Sequence, residues 1–332
     1  RLLLVLVIVT AALMVYLITD KRFSLSFFSV KPCIDPSCPV KFSTSPGERL
    51  RQILATRNRT IQQYLAAMSE SVKSVAPSKH VIGSAASANH FGELKALIGN
   101  LKTHLFPSLS NLTFVIYDLG LSKDQRKWTE KNCGCKVMDF PFTLLPDFFK
   151  QLHCFAWKTL LIRTLIQKAE ILIWLDSSIR FNATTPVKEI LRRTRERGLQ
   201  LFIPGWRSPL SGAISLRTDA PTFKFYGDVA CQYESHGEVW GGLGFYHNEQ
   251  FVREAVLDPW VSCAFDRGCM CLPSHLKLLT CTHKLPRQRS ACHRSDQSSL
   301  GIIVSKLYRE RTNLIRLIPG LRVDRGILKD LV

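Results

Sequence analysis

Acidic residues are scarce in this chain of 332 residues, which has 26 Asp and Glu against 45 Lys and Arg, for a formal net charge of +19. Such an excess indicates an acidic partner, which nucleic acid, anionic lipid, a phosphorylated small molecule or an acidic glycan would each satisfy. Glycine and proline are also few, at 18 and 16 residues, which excludes a collagen-like or proline-rich chain. The 46% hydrophobic content and the 19 Phe exclude a disordered chain.

Several nucleotide-binding and catalytic motifs are missing from the sequence. No G-x-G-x-x-G follows the first predicted strand and no G-x-x-x-x-G-K-[ST] occurs, so neither a dinucleotide-binding fold nor a P-loop is supported. The lack of G-x-S-x-G argues against an α/β-hydrolase. The sequence also contains no internal repeat, zinc finger or RNA-binding motif. Nucleic acid is therefore not the expected partner, despite the positive charge.

A long apolar run opens the sequence. Residues 2–18 carry no formal charge and would span roughly 26 Å as a helix, which is enough for a thin bilayer. A cleaved signal peptide is the alternative, but no small-x-small cleavage site follows the run. We therefore expect a transmembrane signal anchor at residues 1–19, which makes a membrane the first expected partner.

Sequons and cysteines indicate the compartment of the remaining chain. Three N-x-[S/T] sequons begin at Asn58, Asn111 and Asn182, which are candidate N-glycan sites. Eleven cysteines are many for a cytosolic protein of this size and suit an oxidising lumen. These features predict a single-pass type II protein of the Golgi or ER membrane, with the large part of the chain in the lumen.

The cysteines are expected to form disulfides rather than a zinc site. The pairs at positions 133/135 and 269/271 have C-x-C spacing, whereas zinc ribbons and knuckles use C-x₂-C. Cys33 and Cys38 are close enough in sequence to close a small loop. Because eleven is odd, at least one thiol is free or pairs between chains.

Residues 20–76 are predicted to form a stem. Prolines and a Ser/Thr cluster make residues 20–47 loop-like, while apolar residues recur at helical spacing over 48–73. This periodicity predicts an amphipathic helix that packs on the following domain, and self-association of the stem is the alternative.

Residues 77–332 are predicted to form one α/β domain. Strands are expected at 80–86, 112–117, 135–140 and 170–175, with helices at 89–105, 123–131 and 152–168 between them. This alternation is typical of a mostly parallel sheet with flanking helices. Ligands of such sheets bind outside the carboxyl ends of the strands, where Asp118 and Asp176 fall.

The strongest chemical signal lies at the end of the fourth predicted strand, where a hydrophobic run is followed by Asp176-Ser177-Ser178. This segment resembles the metal-binding turn of GT-A glycosyltransferases, in which a buried strand ends in Asp-x-Asp. In that family Mn²⁺ or Mg²⁺ on the carboxylates neutralises the diphosphate of a nucleotide sugar. The resemblance implies a GT-A-like fold, a nucleotide-sugar donor and a metal ligand at Asp176. Because Ser178 replaces the second Asp, weaker metal binding or a basic side chain in place of the metal is expected.

Other side chains near this turn fit the same resemblance as a donor-binding set. Lys158 is unusual on so apolar a helix, and we expect it to pair with Asp176 or to approach phosphate, unless it snorkels to the surface. Arg180 follows the Asp turn and Ser178 belongs to it. Asp118 lies where such folds often contact ribose or base, although Asp in this sequence context also suits a turn.

A glycine-rich segment at 237–245 resembles the GT-A strand that lines the sugar and acceptor pocket. Its four glycines permit close backbone approach, and a tight turn into a strand is the simpler interpretation. The resemblance implies that Trp240 stacks on a sugar and that Glu238 is a candidate base or acceptor ligand.

The pair Asp296-Gln297 opens a helix that is expected to run to about residue 308. It is similar to the Asp-Gln pair that several GT-A families place beside the donor sugar, which makes Asp296 a candidate catalytic carboxylate. Interaction with the helix dipole is the structural alternative. His283 and His293 are candidate metal ligands, because some GT-A enzymes supply a late His.

Basic residues concentrate near the C-terminus, where residues 277–332 hold 12 basic and four acidic side chains. Lys284, Arg287, Arg289 and Arg294 lie close to the Asp-Gln pair. We expect these four residues to bind the donor phosphates or an acidic acceptor, and a solvated surface is the alternative.

The order of these motifs along the chain also resembles a glycosyltransferase-like family of membrane-anchored proteins described as a domain of unknown function. The resemblance implies transfer of a sugar from a nucleotide-diphosphate donor to a hydroxyl of a glycan or glycoprotein in the secretory pathway. The alternative is a catalytically inactive luminal or cell-surface glycan-binding protein on the same fold, which Ser178 in place of Asp supports.

Overall fold

The structure is a computed structural model that describes residues 38, 40–203, 213–271, 290 and 292–308, and the backbone of 315–316 and 322–323. Several predicted features lie outside the described residues, namely the anchor at 1–19, Cys33, His283, Lys284, Arg287 and Arg289. Within the described part, no helix combines the length and apolarity needed to cross a membrane.

The sheet strands and helices follow the predicted alternation. The described strands are β1 (Ser78–Ala86), β2 (Leu112–Asp118), β3 (Lys136–Asp139), β4 (Ala169–Leu175), β5 (Ile179–Arg180), β6 (Leu199–Phe202), β7 (Leu243–His247), β8 (Ile315–Arg316) and β9 (Arg322–Val323). The described α-helices are α1 (Pro46–Ala55), α2 (Ile61–Ser71), α3 (Phe91–His104), α4 (Lys123–Asn132), α5 (Ala156–Leu165), α6 (Val187–Arg197), α7 (Ile214–Arg217), α8 (Ala220–Phe225), α9 (Asp258–Phe265), α10 (Arg267–Met270) and α11 (Ser295–Leu307). A π-helical segment, Val252–Leu257, precedes α9.

The main sheet has seven strands in the order β3-β2-β1-β4-β7-β6-β8. Strands β1 to β4 are mutually parallel, and β7 runs antiparallel to both of its neighbours. Strands β5 and β9 form a separate antiparallel pair. The predicted mostly parallel α/β class is therefore confirmed. The chain leaves β1 on one side for β2 and returns on the other side as β4, so the β1/β4 boundary is the switch point where such sheets bind ligands.

Both faces of the sheet are covered. Val81 and Ile82 are neighbours on β1 and belong to two different hydrophobic clusters, as expected when successive side chains of a strand point to opposite faces. The first cluster includes residues of α1, α2, α5, α9 and α11, and the second includes residues of α3 and α6. The central strands are thus buried on both sides, which explains their continuous apolar sequences.

The helix expected over 48–73 is instead two helices, α1 and α2. The polar residues 56–60 interrupt it, since Thr56 Oγ1 donates to the Ile53 carbonyl and Asn58 Oδ1 accepts from the Thr60 amide. Such local bonds compete with helix continuation. The apolar face packs on the domain as predicted, because Ile61 and the later apolar residues of α2 lie in the first core cluster. Residues before 77 therefore contribute to the core of the sheet domain.

The cysteines form disulfides, as predicted, but the pairing of Cys38 differs from the expected short loop. The described bonds are Cys38–Cys231, Cys133–Cys135, Cys154–Cys271 and Cys263–Cys269, and Cys292 is also disulfide-bonded. The small loop that Cys33 and Cys38 could have closed is not formed, since Cys38 pairs with Cys231. Phe42 packs edge-on against Tyr233, with ring centroids 5.0 Å apart, and this contact brings the preceding segment beside Cys231.

The three sequon asparagines, Asn58, Asn111 and Asn182, are all exposed. The side-chain oxygens of Asn58 and Asn182 each accept a hydrogen bond from the hydroxyl of the sequon threonine. The positions are thus accessible, and N-glycosylation at them stays a prediction.

Candidate active site

Asp176 is the first residue after β4 and lies at the switch-point edge of the sheet. Its N–H donates to the Gly242 carbonyl at 2.8 Å, which continues the β4/β7 pairing by one residue. Trp174 Nε1 donates to Asp176 Oδ1 at 3.1 Å and fixes the carboxylate. The Asp176 side chain is 30% exposed, so one side of the carboxylate faces solvent. The strand thus delivers an oriented carboxylate to the place where a ligand is expected.

Lys158 is buried beside this carboxylate, with a side chain only 2% exposed. It lies in the first turn of α5, which begins after Phe155 in a left-handed conformation at φ 54°. Lys158 Nζ lies 3.1 Å from Asp176 Oδ2 and 2.8 Å from Asp296 Oδ2, and it donates to the Gly241 carbonyl at 3.3 Å. The expected pairing with Asp176 is therefore present, and a second carboxylate shares the same ammonium.

Asp296 reaches this cluster from the first turn of α11, and its side chain is 5% exposed. Its backbone carbonyl accepts from Trp260 Nε1 at 2.9 Å, which holds the helix start against α9. Burial raises the pKa of Asp296, and the Lys158 ammonium opposes that rise. Burial also disfavours charge on Lys158, but the carboxylates of Asp176 and Asp296 outweigh it and raise the pKa of the lysine. The lysine therefore stays protonated between the two carboxylates.

Two consecutive glycines complete the cluster of Lys158, Asp176 and Asp296, called here the lysine-carboxylate cluster. A Cβ at Gly241 would lie 2.7 Å from Asp296 Oδ2, and a Cβ at Gly242 would lie 2.9 Å from Asp176 Oδ2. Glycine is required at both positions because of this close approach.

A second buried network adjoins the first through Gln297. Gln297 Oε1 accepts from the Gly241 N–H at 3.2 Å, and its Nε2 donates to Glu238 Oε1 at 2.8 Å. Arg217 Nη1 lies 3.3 Å from Glu238 Oε2, and Arg294 Nε lies 3.7 Å from Glu238 Oε1. Glu238, a candidate base, is thus buried among cations. Sequence reasoning missed Arg217, because it lies in a segment with no recognisable motif.

The structure gives Arg180 and Ser177 roles within the chain. Arg180 is buried, and its guanidinium donates to the carbonyls of Ser177, Ile179 and Glu93. Ser177 Oγ donates to Glu93 Oε2 at 3.1 Å. These bonds tie the turn after Asp176 to α3, so Arg180 positions the turn. Ser178, also in this turn, is half-buried.

Asp118 lies at the end of β2 but forms a turn rather than joining the lysine-carboxylate cluster. Its Oδ1 accepts from the amides of Gly120 and Leu121, at 2.8 and 2.7 Å, and its Oδ2 pairs with Arg126 at 3.1 Å. This is the turn interpretation of Asp118, and it accounts for both carboxylate oxygens.

Trp240 and His293 flank the second network. Trp240 is half-buried, its amide donates to the Phe202 carbonyl at 2.7 Å, and it packs on the second core cluster. His293 is buried, and its Nδ1 accepts from the Asp219 amide at 3.2 Å. Nδ1 of His293 is therefore already hydrogen-bonded to the backbone.

The described residues do not fit the metal site that the Asp-x-Asp resemblance implies. Among them, no three His, Cys, Asp or Glu side chains converge in a way that could hold a metal ion. The space between the carboxylates of Asp176 and Asp296 is taken by Lys158 Nζ, and Ser178 offers only a neutral hydroxyl. Divalent cations of this class prefer several carboxylate and carbonyl oxygens.

One family model matches part of the sequence. A model of the family described as "Protein of unknown function (DUF1647)" matches residues 33–163, which is less than half of the chain. No curated protein matches the sequence.

Similar solved structures have low sequence identity to this chain. Core-mannan synthase A from Aspergillus fumigatus, in its Mn/GDP form, is 10% identical, with a TM-score of 0.43 over 74% of this chain and 75% of that one. The mannosyltransferase Ktr4p from S. cerevisiae is 9% identical, with a TM-score of 0.39 over 68% and 77%. The galactosyltransferase LgtC is 11% identical, with a TM-score of 0.38 over 74% and 87%. At these scores the similarities assign neither an activity nor a substrate to this chain.

Proposed function

We propose that this protein is a glycosyltransferase that transfers a sugar from a nucleotide-diphosphate donor to a hydroxyl of a glycan or glycoprotein. The observation that carries the proposal is the lysine-carboxylate cluster at the carboxyl edge of the parallel strands. Asp176 presents a fixed, 30% exposed carboxylate there, beside glycine backbone that a ligand can approach closely. The three sequons and the predicted anchor support a Golgi or ER location with this domain in the lumen.

The proposed reaction forms one bond and breaks one bond at the anomeric carbon. The acceptor hydroxyl oxygen bonds to that carbon, the bond from the carbon to the diphosphate oxygen breaks, and the nucleoside diphosphate leaves with the bond's electron pair. The hydroxyl proton passes to a carboxylate or to the departing phosphate. The protein's part is to orient the donor and to stabilise the charge that develops on the diphosphate.

Asp176 has the best access to the donor among the three carboxylates of the two networks. The side chains of Asp296 and Glu238 are 5% and 6% exposed and lie against cations, whereas Asp176 keeps a solvent-facing side. We assign Asp176 to hydrogen bonds with donor hydroxyls and Asp296 to holding Lys158. The role of Asp296 or Glu238 as base stays a prediction, which requires the site to open when the acceptor binds.

Donor binding by the purified protein tests the proposal. A panel of UDP and GDP sugars is screened by thermal shift and calorimetry, since a ligand of the native state raises the melting temperature. Hydrolysis of the bound donor is followed in parallel. Asp176→Asn, which keeps shape and removes charge, should abolish binding or hydrolysis, and Asp124→Asn, at an exposed position of α4, should not. A protein that neither binds nor hydrolyses any member of the panel would overturn the proposal.

The alternative function is a glycan-binding protein without transferase activity. It is favoured by Ser178 at the second Asp position and by the ion pairs that the buried carboxylates of Asp296 and Glu238 form with cations of the chain. This alternative predicts binding to immobilised glycans that Asp176→Asn leaves intact, together with the absence of donor turnover.

A further inference from the structure

We propose that Lys158 is the resident cation of the site and takes the place of a divalent metal. The protein would then bind a nucleoside diphosphate without metal, and removal of Lys158 would convert the cluster into a metal site. The nucleotide part rests on the proposed function, whereas the metal-binding part concerns the protein alone.

The Lys158 ammonium is surrounded by oxygen atoms of the cluster. A lysine ammonium has three N–H donors. Its nitrogen lies within 3.3 Å of four oxygens, namely Asp176 Oδ1 and Oδ2 at 3.1 Å each, Asp296 Oδ2 at 2.8 Å and the Gly241 carbonyl at 3.3 Å. The ammonium is thus held as a cation among oxygen ligands that come from three residues.

The space around the ammonium is closed to solvent. The Lys158 side chain is 2% exposed and that of Asp296 is 5% exposed, so the inner part of the cluster is closed to a hydrated ion. The glycine backbone on the other side approaches both carboxylates so closely that a methyl group would not fit. A divalent cation at this place would have to displace the lysine and would be repelled by its charge.

The exposed side of the cluster has few oxygen ligands among the described residues. The two residues of the turn that are not fully buried, Asp176 and Ser178, offer one carboxylate and one neutral hydroxyl. The bonds of Arg180 and Ser177 to α3 hold this turn in place. Because a hard divalent ion needs about six oxygen ligands, this side offers too few from the described residues.

Removal of Lys158 is expected to make the cluster able to bind a divalent cation. In Lys158→Ala, two carboxylates and the Gly241 carbonyl would surround the space left by the ammonium group. Four oxygens of these groups lie within 3.3 Å of one point, the lysine nitrogen. Such a cavity is polar and is lined by two carboxyl groups, which suits a divalent cation with bound water.

The experiment measures Mn²⁺ binding by electron paramagnetic resonance on the purified protein, without nucleotide. We expect no stoichiometric binding by the wild type, and at least about tenfold tighter binding by Lys158→Ala. The added Asp296→Asn substitution should remove the acquired site. Lys306→Ala is the matched control, because Lys306 is also a buried lysine, but its ion pair is with one carboxylate, Asp228, at 2.9 Å. The Lys306→Ala variant should not gain affinity for Mn²⁺.

Stoichiometric Mn²⁺ binding by the wild type that Asp176→Asn abolishes would overturn the proposal. Lys158→Gln keeps a hydrogen-bonding side chain that is one atom shorter and uncharged, and it serves if the alanine variant does not fold. If both variants fold and neither gains Mn²⁺ affinity over the wild type, the resident-cation interpretation is also wrong.

A nucleotide arm separates this inference from the proposed function. The affinities of the wild type for UDP and GDP are measured by calorimetry in EDTA and in Mn²⁺, and we expect them to agree within about twofold. A gain of tenfold or more in Mn²⁺ contradicts the inference but retains the transferase proposal. Binding of neither nucleotide in either condition contradicts the proposed function, and the Mn²⁺ experiment on the protein alone then decides the role of Lys158.

Discussion

Gly242 and Asp176 are in direct backbone contact, since the Asp176 amide donates to the Gly242 carbonyl at 2.8 Å and a Cβ on the glycine would lie 2.9 Å from Asp176 Oδ2. The position of the Asp176 carboxylate, which is more exposed than those of Asp296 and Glu238, therefore depends on a residue that has no side chain. A glycine that looks like part of a turn in the sequence is, in the structure, part of the wall of the candidate active site.

Gly242→Ala should displace the Asp176 carboxylate. The methyl group has no room at 2.9 Å, so we expect overpacking to lower the free energy of unfolding by about 1–3 kcal/mol. Donor affinity should fall at least about tenfold, measured by calorimetry. Gly92→Ala is the control, because its Cβ would meet no atom within 4 Å and alanine favours a helix. Unchanged donor affinity in Gly242→Ala would show that the carboxylate position is not critical.

The parallel half of the sheet was predictable because its signals are local. Strands β2 and β4 each contain a continuous apolar run, at residues 114–117 and 171–175, and each run is followed directly by an Asp. The pairing of Lys158 with Asp176 also spans only 18 residues, within one helix–strand unit. Asp176 was therefore placed at the correct edge of the sheet from the sequence alone.

Contacts between distant segments were not predictable from local patterns. The Gln297–Glu238 bond joins residues 59 apart, and Arg217 meets Glu238 only because α7 packs near α11. The Cys38–Cys231 bond spans 193 residues. No periodicity or motif encodes such pairs, since tertiary packing decides which polar groups meet in the core.

Loss of the Cys38–Cys231 disulfide should destabilise the protein much more than loss of Cys133–Cys135. The first bond closes a loop of 193 residues and the second a loop of two. In the chain-entropy account, a bond that closes a longer loop restricts the unfolded chain more. Replacing Cys38 and Cys231 together by Ser should cost about 2–5 kcal/mol, which is measured by urea unfolding without reductant. Equal losses for the two double variants would contradict the prediction.

His80 should make stability depend on pH. It is buried in β1, where its Nδ1 donates to the Ser110 carbonyl at 2.8 Å. Burial lowers the pKa of His80 below its usual value near 6.5, and the Arg195 charge adds to this effect. The folded state therefore binds a proton on His80 less well than the unfolded chain does. The resulting contribution of the neutral imidazole to the free energy of unfolding is fully present above the unfolded pKa and is lost as pH falls through the folded pKa.

The test compares urea unfolding at about pH 7.5 and about pH 5.5. His80→Asn, whose amide can still donate to the Ser110 carbonyl, should lose less stability on acidification than the wild type does. His104→Asn, at the end of α3, serves as the control and should keep the wild-type dependence. If His80→Asn and the wild type lose the same stability between the two pH values, the buried imidazole is not the cause.

Arg294→Gln should weaken donor binding through charge. Among the cations of the two networks, Lys158 and Arg217 have side chains that are 2% exposed, whereas that of Arg294 is 25% exposed beside Glu238. Arg294 is therefore the described cation best placed to reach a diphosphate, and a hydrogen bond to a charged group contributes about 1.5–3 kcal/mol. We expect KM for the donor to rise about tenfold or more, with a smaller change in kcat and a weaker dependence of KM on salt. Arg192→Gln, on the exposed face of α6, should leave all three unchanged. An unchanged KM in Arg294→Gln would assign the arginine to holding Glu238 alone.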